Sequence, residues 1–216
     1  MNNLFIFSNL ATSIDGKIAP AKRGHVPFGT PYDRKKMQII RKKSDAIIMG
    51  ASSLRAYKKP LIIKNQKKQP VNIIVSSRLD DISPNWEFFQ EKKTTRILFV
   101  KALPSNKRLS LFKKNSEVIQ IKKTTSASPL AKQIVAHLKK IGIKTLLVEG
   151  GGQLIWEFVS AKLLDELNVT LTPLLVGGAH APTLMDGHGF TAKSILKLKL
   201  KKVEKIGHEL YLVYTK

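Results

Sequence analysis

The residues best suited to chemistry are Glu149 and the three glycines that follow it, Gly150, Gly151 and Gly152. They come directly after a short buried strand predicted over 144–148 and just before a helix predicted over 153–161. Glycines let a backbone turn sharply and approach a ligand closely, and a helix N-terminus presents free N–H groups and the positive end of a dipole. Such a turn suits the pyrophosphate of a dinucleotide, although an ordinary tight turn would use the same residues.

Two other turns at predicted strand ends carry side chains that bind phosphate. The run Gly50-Ala51-Ser52-Ser53 follows one strand, and Ser76-Ser77-Arg78 follows another. Hydroxyl groups and a guanidinium fit a phosphomonoester such as the 2′-phosphate of NADPH. Each turn alone could be ordinary helix capping. Three of them in one sheet favour a dinucleotide site at the carboxyl ends of the strands.

The elements that must position these turns alternate between strand and helix, which predicts an α/β protein with a mixed, mostly parallel sheet. Strands are predicted at 4–12, 45–49, 71–76, 96–100, 117–121, 144–148 and 165–176, with a C-terminal antiparallel hairpin from 195–206 and 208–215. The pairs Thr30-Pro31 and Ser128-Pro129 each predict the start of a helix. We interpret Asp33 as a carboxylate that favours the first turn of its helix, with contact to a substrate as the alternative. No break in composition divides the chain, so one domain over 1–216 is expected.

The composition excludes several kinds of site. The 216 residues contain no cysteine, which excludes disulfide scaffolds, thiol nucleophiles and zinc sites with Cys ligands. None of the five histidines has the spacing of a metal ligand, so no metal is predicted. No apolar run approaches the ~20 residues of a membrane span, and the first residues lack the basic start of a signal peptide. We therefore expect a cytoplasmic protein that binds no membrane.

The net charge of +23, from 38 Lys and Arg against 15 Asp and Glu, first suggests a nucleic-acid partner. However, the lysines occur in pairs along the whole chain and form no single basic arm. A solvated lysine-rich surface is the simpler interpretation. The positive field should still attract phosphate-bearing small molecules to a cleft.

Three motifs occur in the order found in one known family. They are Thr12-Ser13-Ile14-Asp15-Gly16-Lys17-Ile18, the segment from Ile40-Arg41 through Asp45-Ala46-Ile47 to Gly50, and the stretch from Leu147 to Trp156 with its continuation to Phe190. The chain therefore resembles the riboflavin-pathway pyrimidine reductases, including the reductase half of bifunctional deaminase–reductases. The resemblance covers nearly the whole chain.

The resemblance implies a dihydrofolate-reductase-like fold, a homodimer and NADPH as cofactor. It also implies a reaction, reduction of the ribosyl group of a phosphoribosylamino-pyrimidine to ribityl. Together, the strand-end turns and the resemblance predict that the cofactor is bound by Ala11, Gly50, Ser52, Ser53, Ser76, Ser77, Arg78, Gly150, Gly151, Gly152, Gln153 and Leu154. The predicted substrate-binding residues are Ser13, Arg41, Lys64 and Glu149. Asp15 and Lys17 are the candidates for a proton donor and electrostatic support, since a ring-opened imine would need both.

Alternatives to these roles follow from local structure. Asp15-Gly16 could be only a turn, and Arg41 could be a solvated charge on a helix. Members of the family typically carry an acid after the turn at Gly50, where this chain has Tyr57-Lys58-Lys59. A related reductase for another pterin or pyrimidine is therefore the first alternative, and a nucleic-acid-binding protein on an inactive reductase scaffold is the second. We expect the reductase without its deaminase, because the zinc deaminase half requires Cys ligands.

Overall fold

One nine-stranded sheet organises residues 3–22, 28–122 and 129–216, the ranges described by the computed structural model. The strands are β1 (Phe5–Thr12), β2 (Ala46–Gly50), β3 (Val71–Ser76), β4 (Arg96–Val100), β5 (Glu117–Gln120), β6 (Thr145–Val148), β7 (Glu166–Leu171), β8 (Lys199–Ile206) and β9 (Glu209–Thr215). The helices are α1 (Pro31–Arg41), α2 (Ala51–Tyr57), α3 (Glu87–Gln90), α4 (Asn106–Lys113), α5 (Pro129–Lys140) and α6 (Gly152–Ser160). Ser128, the predicted cap of α5, lies outside the described residues.

The strand order is β5-β4-β3-β2-β6-β1-β7-β9-β8. Neighbours from β5 through to β7 pair in parallel, and β9 pairs antiparallel with both β7 and β8. The predicted mixed sheet with a C-terminal hairpin is therefore confirmed. Thr30 caps α1 with Pro31 at its first turn, also as predicted.

Apolar side chains cover both faces of the sheet, because alternate residues of each strand point to opposite sides. On one face, Ile73, Ile97 and Phe99 pack with residues of α5 and α6. On the other face, Ile74 and Leu98 pack with residues of α1 to α4. No helix in the described ranges combines the length and the apolar character that a bilayer crossing requires.

Two strand boundaries differ from the predictions by more than one residue, and two helices were not predicted. The strand predicted over 165–176 ends at Leu171, close to Pro173, which has no N–H group for a sheet ladder. The strand predicted from 195 begins at Lys199, whose partner Thr215 is the last residue of β9. The sequence did not predict α3 or α4. Helix α3 has only four residues, and α4 buries only Leu109 and Phe112, so neither helix has a long apolar pattern.

The order of the sheet brings the predicted turns together. Strands β3, β2, β6 and β1 are consecutive neighbours and run in the same direction. Their carboxyl ends are Ser76, Gly50, Val148 and Thr12. The three turns with phosphate-binding chemistry therefore lie along one edge, as open parallel sheets arrange their ligand sites.

Candidate active site

A cleft of about 1150 Å³ opens at this edge of the sheet. The turns after β3, β2 and β6 line it, together with the end of β1 and one face of α1. All twelve residues predicted to bind the cofactor, from Ala11 to Leu154, lie on its wall. The structure thus gathers the predicted cofactor residues around a single cavity.

The glycine turn after β6 needs glycine for two separate reasons. Gly150 and Gly151 have φ angles of 128° and 79°, which side chains rarely tolerate. A Cβ atom on Gly152 would lie 2.4 Å from the backbone oxygen of Thr183, so this position allows no side chain. A Cβ on Gly151 would meet no atom within 4 Å. The backbone at Gly151 is therefore open to a ligand.

Beside this turn, Arg41 and Glu149 form a two-pronged ion pair. Arg41 Nε and Nη2 donate to Glu149 Oε1 and Oε2 over 2.8 and 2.6 Å. The side chains are 11% and 9% exposed, so Arg41 is not a solvated helix charge. Burial disfavours the guanidinium charge, but the Glu149 carboxylate outweighs burial and raises the pKa of Arg41. The sequence suggested two separate contacts to substrate, whereas the structure joins them in one charged unit.

Tyr57 occupies the wall where the resemblance expects an acid. Burial raises the pKa of Tyr57, the Glu149 charge raises it further, and Arg41 opposes the change. The phenol therefore stays protonated at neutral pH and can donate a hydrogen bond.

The far end of the cleft contains an ion pair beside the predicted phosphate-binding residues. Ser77 and Arg78 are exposed there, as a phosphate site requires, while the Ser76 hydroxyl is used internally and donates to the Arg78 backbone oxygen. Arg55 was missed and also lines this end. It donates to Asp81 over 2.7 Å and to Ser52 over 3.0 Å. Its place three residues after Ser52, on the same helix face, was the available signal.

The predicted catalytic residues Asp15 and Lys17 connect two loops. Asp15 accepts hydrogen bonds from Ser13 Oγ at 2.6 Å and from the backbone N–H groups of Val176 and Gly177. The bonds from Ser13 and Gly177 lower the pKa of Asp15 to about 2. A carboxyl group with so low a pKa is a poor proton donor near neutral pH. The structure therefore favours a loop-holding role for Asp15, and its catalytic role stays a prediction.

Lys17 and Lys64 also lie apart from the described lining of the cleft. Lys17 Nζ donates to the backbone oxygen of Ala181 over 3.2 Å, which ties the loop after β1 to the loop after β7. Lys64 is exposed, and its backbone N–H donates to Gln38 Oε1. Ser13 is buried beneath Asp15. The substrate roles of Ser13 and Lys64 remain predictions.

Asp33 lines the cleft, although the sequence favoured a helix-start role over contact with substrate. It shares one face of α1 with Met37 and Arg41, which also line the cleft. The spacing of four residues between each of these positions was the signal that could have identified it.

Comparisons with known proteins give matches over most of the chain. The RibD C-terminal domain family matches residues 4–212. The 2,5-diamino-6-ribosylamino-4(3H)-pyrimidinone 5′-phosphate reductase of Archaeoglobus fulgidus is 26% identical over 94% of this chain and 94% of its own length. A reductase of the same name from Aquifex aeolicus is 31% identical over 77% of the chain and 74% of its own length.

Solved structures show the same fold. RibD of Acinetobacter baumannii aligns with a TM-score of 0.80 at 19% identity, over 100% of this chain. The chain spans 58% of the length of that RibD. A pyrimidine reductase-like protein from Corynebacterium diphtheriae aligns with a TM-score of 0.83 at 22% identity, over 99% of this chain and 92% of its own.

Proposed function

The chain belongs to the RibD C-terminal domain family, and on that premise we propose that it reduces the ribosyl group of a phosphoribosylamino-pyrimidine to ribityl with NADPH. The observation that carries the proposal is the buried Arg41–Glu149 pair beside the open glycine turn in one cleft. Pockets that hold one drug-sized ligand measure roughly 300–1000 Å³. The cleft, at about 1150 Å³, exceeds this range, which supports a shared site for a cofactor and a substrate.

The wall of the cleft fits a phosphorylated dinucleotide. The backbone at Gly151 and the start of α6 would hold the pyrophosphate, since the turn leaves open space there. Ser77 and Arg78 would hold the 2′-phosphate. When bound, NADPH supplies the hydride. The protein contributes position and charge.

On the substrate side, the Arg41–Glu149 unit suits an amino-pyrimidine. Each carboxylate oxygen has two acceptor positions, so Glu149 can bind Arg41 and still accept from ligand N–H groups. The Archaeoglobus and Aquifex relatives are named as reductases of the diamino-pyrimidinone, whereas a solved Thermotoga maritima protein is named as a deaminase and as a reductase of the aminouracil. We therefore propose the diamino-pyrimidinone phosphate as the substrate.

An assay of NADPH oxidation tests this function. The purified chain is mixed in turn with the diamino-pyrimidinone phosphate, the aminouracil phosphate and dihydrofolate. We expect fastest turnover with the first and a product heavier by two hydrogens. Oxidation only with dihydrofolate, or with none of the three, would contradict the proposal.

Arg78→Ala is expected to reduce the preference for NADPH over NADH by about tenfold, because an exposed charge-assisted contact to the 2′-phosphate is lost. Quenching of tryptophan fluorescence gives both dissociation constants. Affinity for NADH should stay unchanged, since NADH lacks this phosphate. A wild-type chain that binds both cofactors equally would rule out the assignment of Ser77 and Arg78.

The glycine turn has a matched control elsewhere in the chain. Gly151 and Gly142 have φ angles of 79° and 80°, and a Cβ on either meets nothing within 4 Å. Replacing either by alanine should therefore cost a similar 1–2 kcal/mol or so of backbone strain. Only Gly151→Ala puts a methyl group into the cleft, so only this variant should weaken NADPH binding, by about tenfold or more. Equal NADPH affinity in the two variants would identify the triplet as an ordinary turn.

We also propose that residues 1–216 form one domain, because both apolar clusters draw on strands of one continuous sheet. The homodimer implied by the resemblance stays a prediction, and sedimentation of the purified chain would test it.

A further inference from the structure

Asp33 has a place in the cleft that its position in the helix does not explain. It sits in the first turn of α1 and lines the cleft together with Met37 and Arg41, one and two turns further along. The carboxyl group thus shares a wall with the Arg41–Glu149 pair. A carboxylate that only favours the start of a helix does not need to line a cleft.

The carboxyl group is held by a neighbouring strand. Asp33 Oδ1 accepts a hydrogen bond from Thr170 Oγ1 over 2.7 Å. Thr170 in turn pairs with Ala11 across the sheet, and Ala11 lines the same cleft. On the other side, a Cβ on Gly29 would lie 2.1 Å from Asp33 Oδ2. A glycine at position 29 is therefore what makes room for the carboxyl group.

Asp33 also lies close to a second, fully buried acid. Glu209 is 2% exposed and accepts from the backbone N–H and the hydroxyl of Thr30 and from the Tyr211 hydroxyl. None of these three donors is a charged group, and the charge of Glu209 raises the pKa of Asp33. Burial and Glu209 raise the pKa of Tyr211, which keeps its hydroxyl protonated.

The groups that face Asp33 act in opposite directions. Burial is the largest influence and raises its pKa, and Glu209 of β9 raises it too. The Thr170 hydrogen bond from β7 and the charges of Lys36 and Arg34 on α1 lower it. The net result is a raised pKa for Asp33. Asp15, by contrast, is held ionised by its donors.

We propose that Asp33 is the proton donor of the reduction, acting on the nitrogen that joins the sugar to the pyrimidine. This proposal rests on the proposed function. In the ring-opened substrate that nitrogen is double-bonded to C1′. As C1′ gains a hydride from reduced nicotinamide, the electron pair of the C=N bond moves to the nitrogen. The nitrogen takes the proton from Asp33 Oδ2, which leaves a neutral amine, an Asp33 carboxylate and an oxidised nicotinamide.

Asp33→Asn tests the proton transfer directly. We expect kcat to fall about a hundredfold or more, in line with the usual contribution of a general acid. The dissociation constant of NADPH, measured by fluorescence, should change less than threefold, because Asn keeps the shape and the Thr170 contact. Gly29→Ala should lower kcat as well, since the new methyl displaces the carboxyl group without changing its chemistry. Two folded variants with nearly wild-type kcat would overturn the proposal.

The pH dependence gives a readout that a structural role would not move. The donor must be protonated, so kcat should fall as pH rises through the pKa of Asp33 in the complex. Glu209→Gln removes a facing negative charge, lowers that pKa and should shift the falling limb to lower pH. The control is Glu204→Gln, which removes another acid of the same hairpin. Glu204 binds Lys36 and Tyr32, and its loss should shift the falling limb of the pH profile less. If kcat falls at the same pH in Glu209→Gln as in the wild type, the assignment of Asp33 as the proton donor is contradicted.

Carboxyl carbon-13 NMR without cofactor separates this proposal from the proposed function. The Asp33 signal, identified by its absence in Asp33→Asn, should titrate above the ordinary aspartate value of about 3.9 and move down in Glu209→Gln. If the pKa of Asp33 has its ordinary value and does not change in Glu209→Gln, Asp33 is not the proton donor, even if the chain reduces the pyrimidine. The expected titration in a chain that reduces no pyrimidine contradicts the proposed function, yet supports Asp33 as a donor toward another substrate.

Discussion

Glu149→Gln is expected to destabilise the fold by about 3 kcal/mol and to lower kcat/KM for the pyrimidine at least tenfold. Removing one partner of a buried ion pair leaves the other charge uncompensated, which costs about 3–5 kcal/mol. We expect the lower end because the pair lines a cleft that water can enter. The loss of activity has a separate cause, since the amide replaces one acceptor by a donor toward the substrate.

A double-mutant cycle distinguishes the ion pair from other effects of the substitution. Arg41→Gln should destabilise the fold by a similar amount, and the double variant should recover much of the loss because no charge is left unpaired. Urea unfolding measures the stability of all three. Activity should not recover in the double variant. Additive losses of stability would mean that the two side chains are not coupled.

An exposed ion pair supplies the control. Lys59 and Glu87 approach to 3.6 Å with 71% and 60% of their side chains exposed. Glu87→Gln makes the same chemical change as Glu149→Gln and should cost less than about 1 kcal/mol. If Glu149→Gln instead loses NADPH and keeps its pyrimidine affinity, Glu149 belongs to the cofactor site.

The parts of this site that the sequence predicted are those with local signals. The glycine turn, the serine turns and the cap of α1 each combine a strand end or helix start with residues that suit it. Parallel strands then bring such turns to one edge whatever their separation in the chain. The predicted cofactor residues accordingly share one cleft.

The parts that could not be predicted depend on which distant partner each side chain finds. Arg41 bonds to a residue 108 positions away, and Asp33 to one 137 positions away. Asp15 lies within a signature motif, but tertiary packing determines that its partners are backbone N–H groups near Gly177. Composition and spacing identify which side chains are reactive, whereas burial and partners decide whether a carboxyl group holds a loop or faces a cavity.

Arg96→Met is expected to destabilise the fold by about 3–4 kcal/mol while leaving NADPH affinity unchanged. Arg96 begins β4, is 6% exposed, and donates to the backbone oxygens of Phe88, Glu91, Thr94 and Asn115. Hydrogen bonds from a charged donor contribute about 1.5–3 kcal/mol each. Methionine fills much of the volume but donates nothing, so several buried carbonyl groups lose their partner. Some of them can turn to water, which keeps the loss below the sum.

The matched control is Arg108→Met, because Arg108 also binds backbone oxygens, those of Leu79, Asp80 and Ile82. Arg108 is only half-buried, so water can replace its hydrogen bonds and the cost should be about 1 kcal/mol. Urea unfolding measures the stability of both variants, and fluorescence measures their NADPH affinity.

The two arginines should also separate stability from binding, because they contact opposite ends of the sheet. Arg96 lies at the amino end of β4, about 13 Å of strand away from the edge that carries the cleft. Arg108 instead holds the segment that contains Asp80 and Asp81, both on the cleft wall. Arg108→Met should therefore weaken NADPH binding more than Arg96→Met does, although it destabilises the fold less. If the variant with the larger loss of stability also showed the larger loss of NADPH binding, the two ends of the sheet would not be independent.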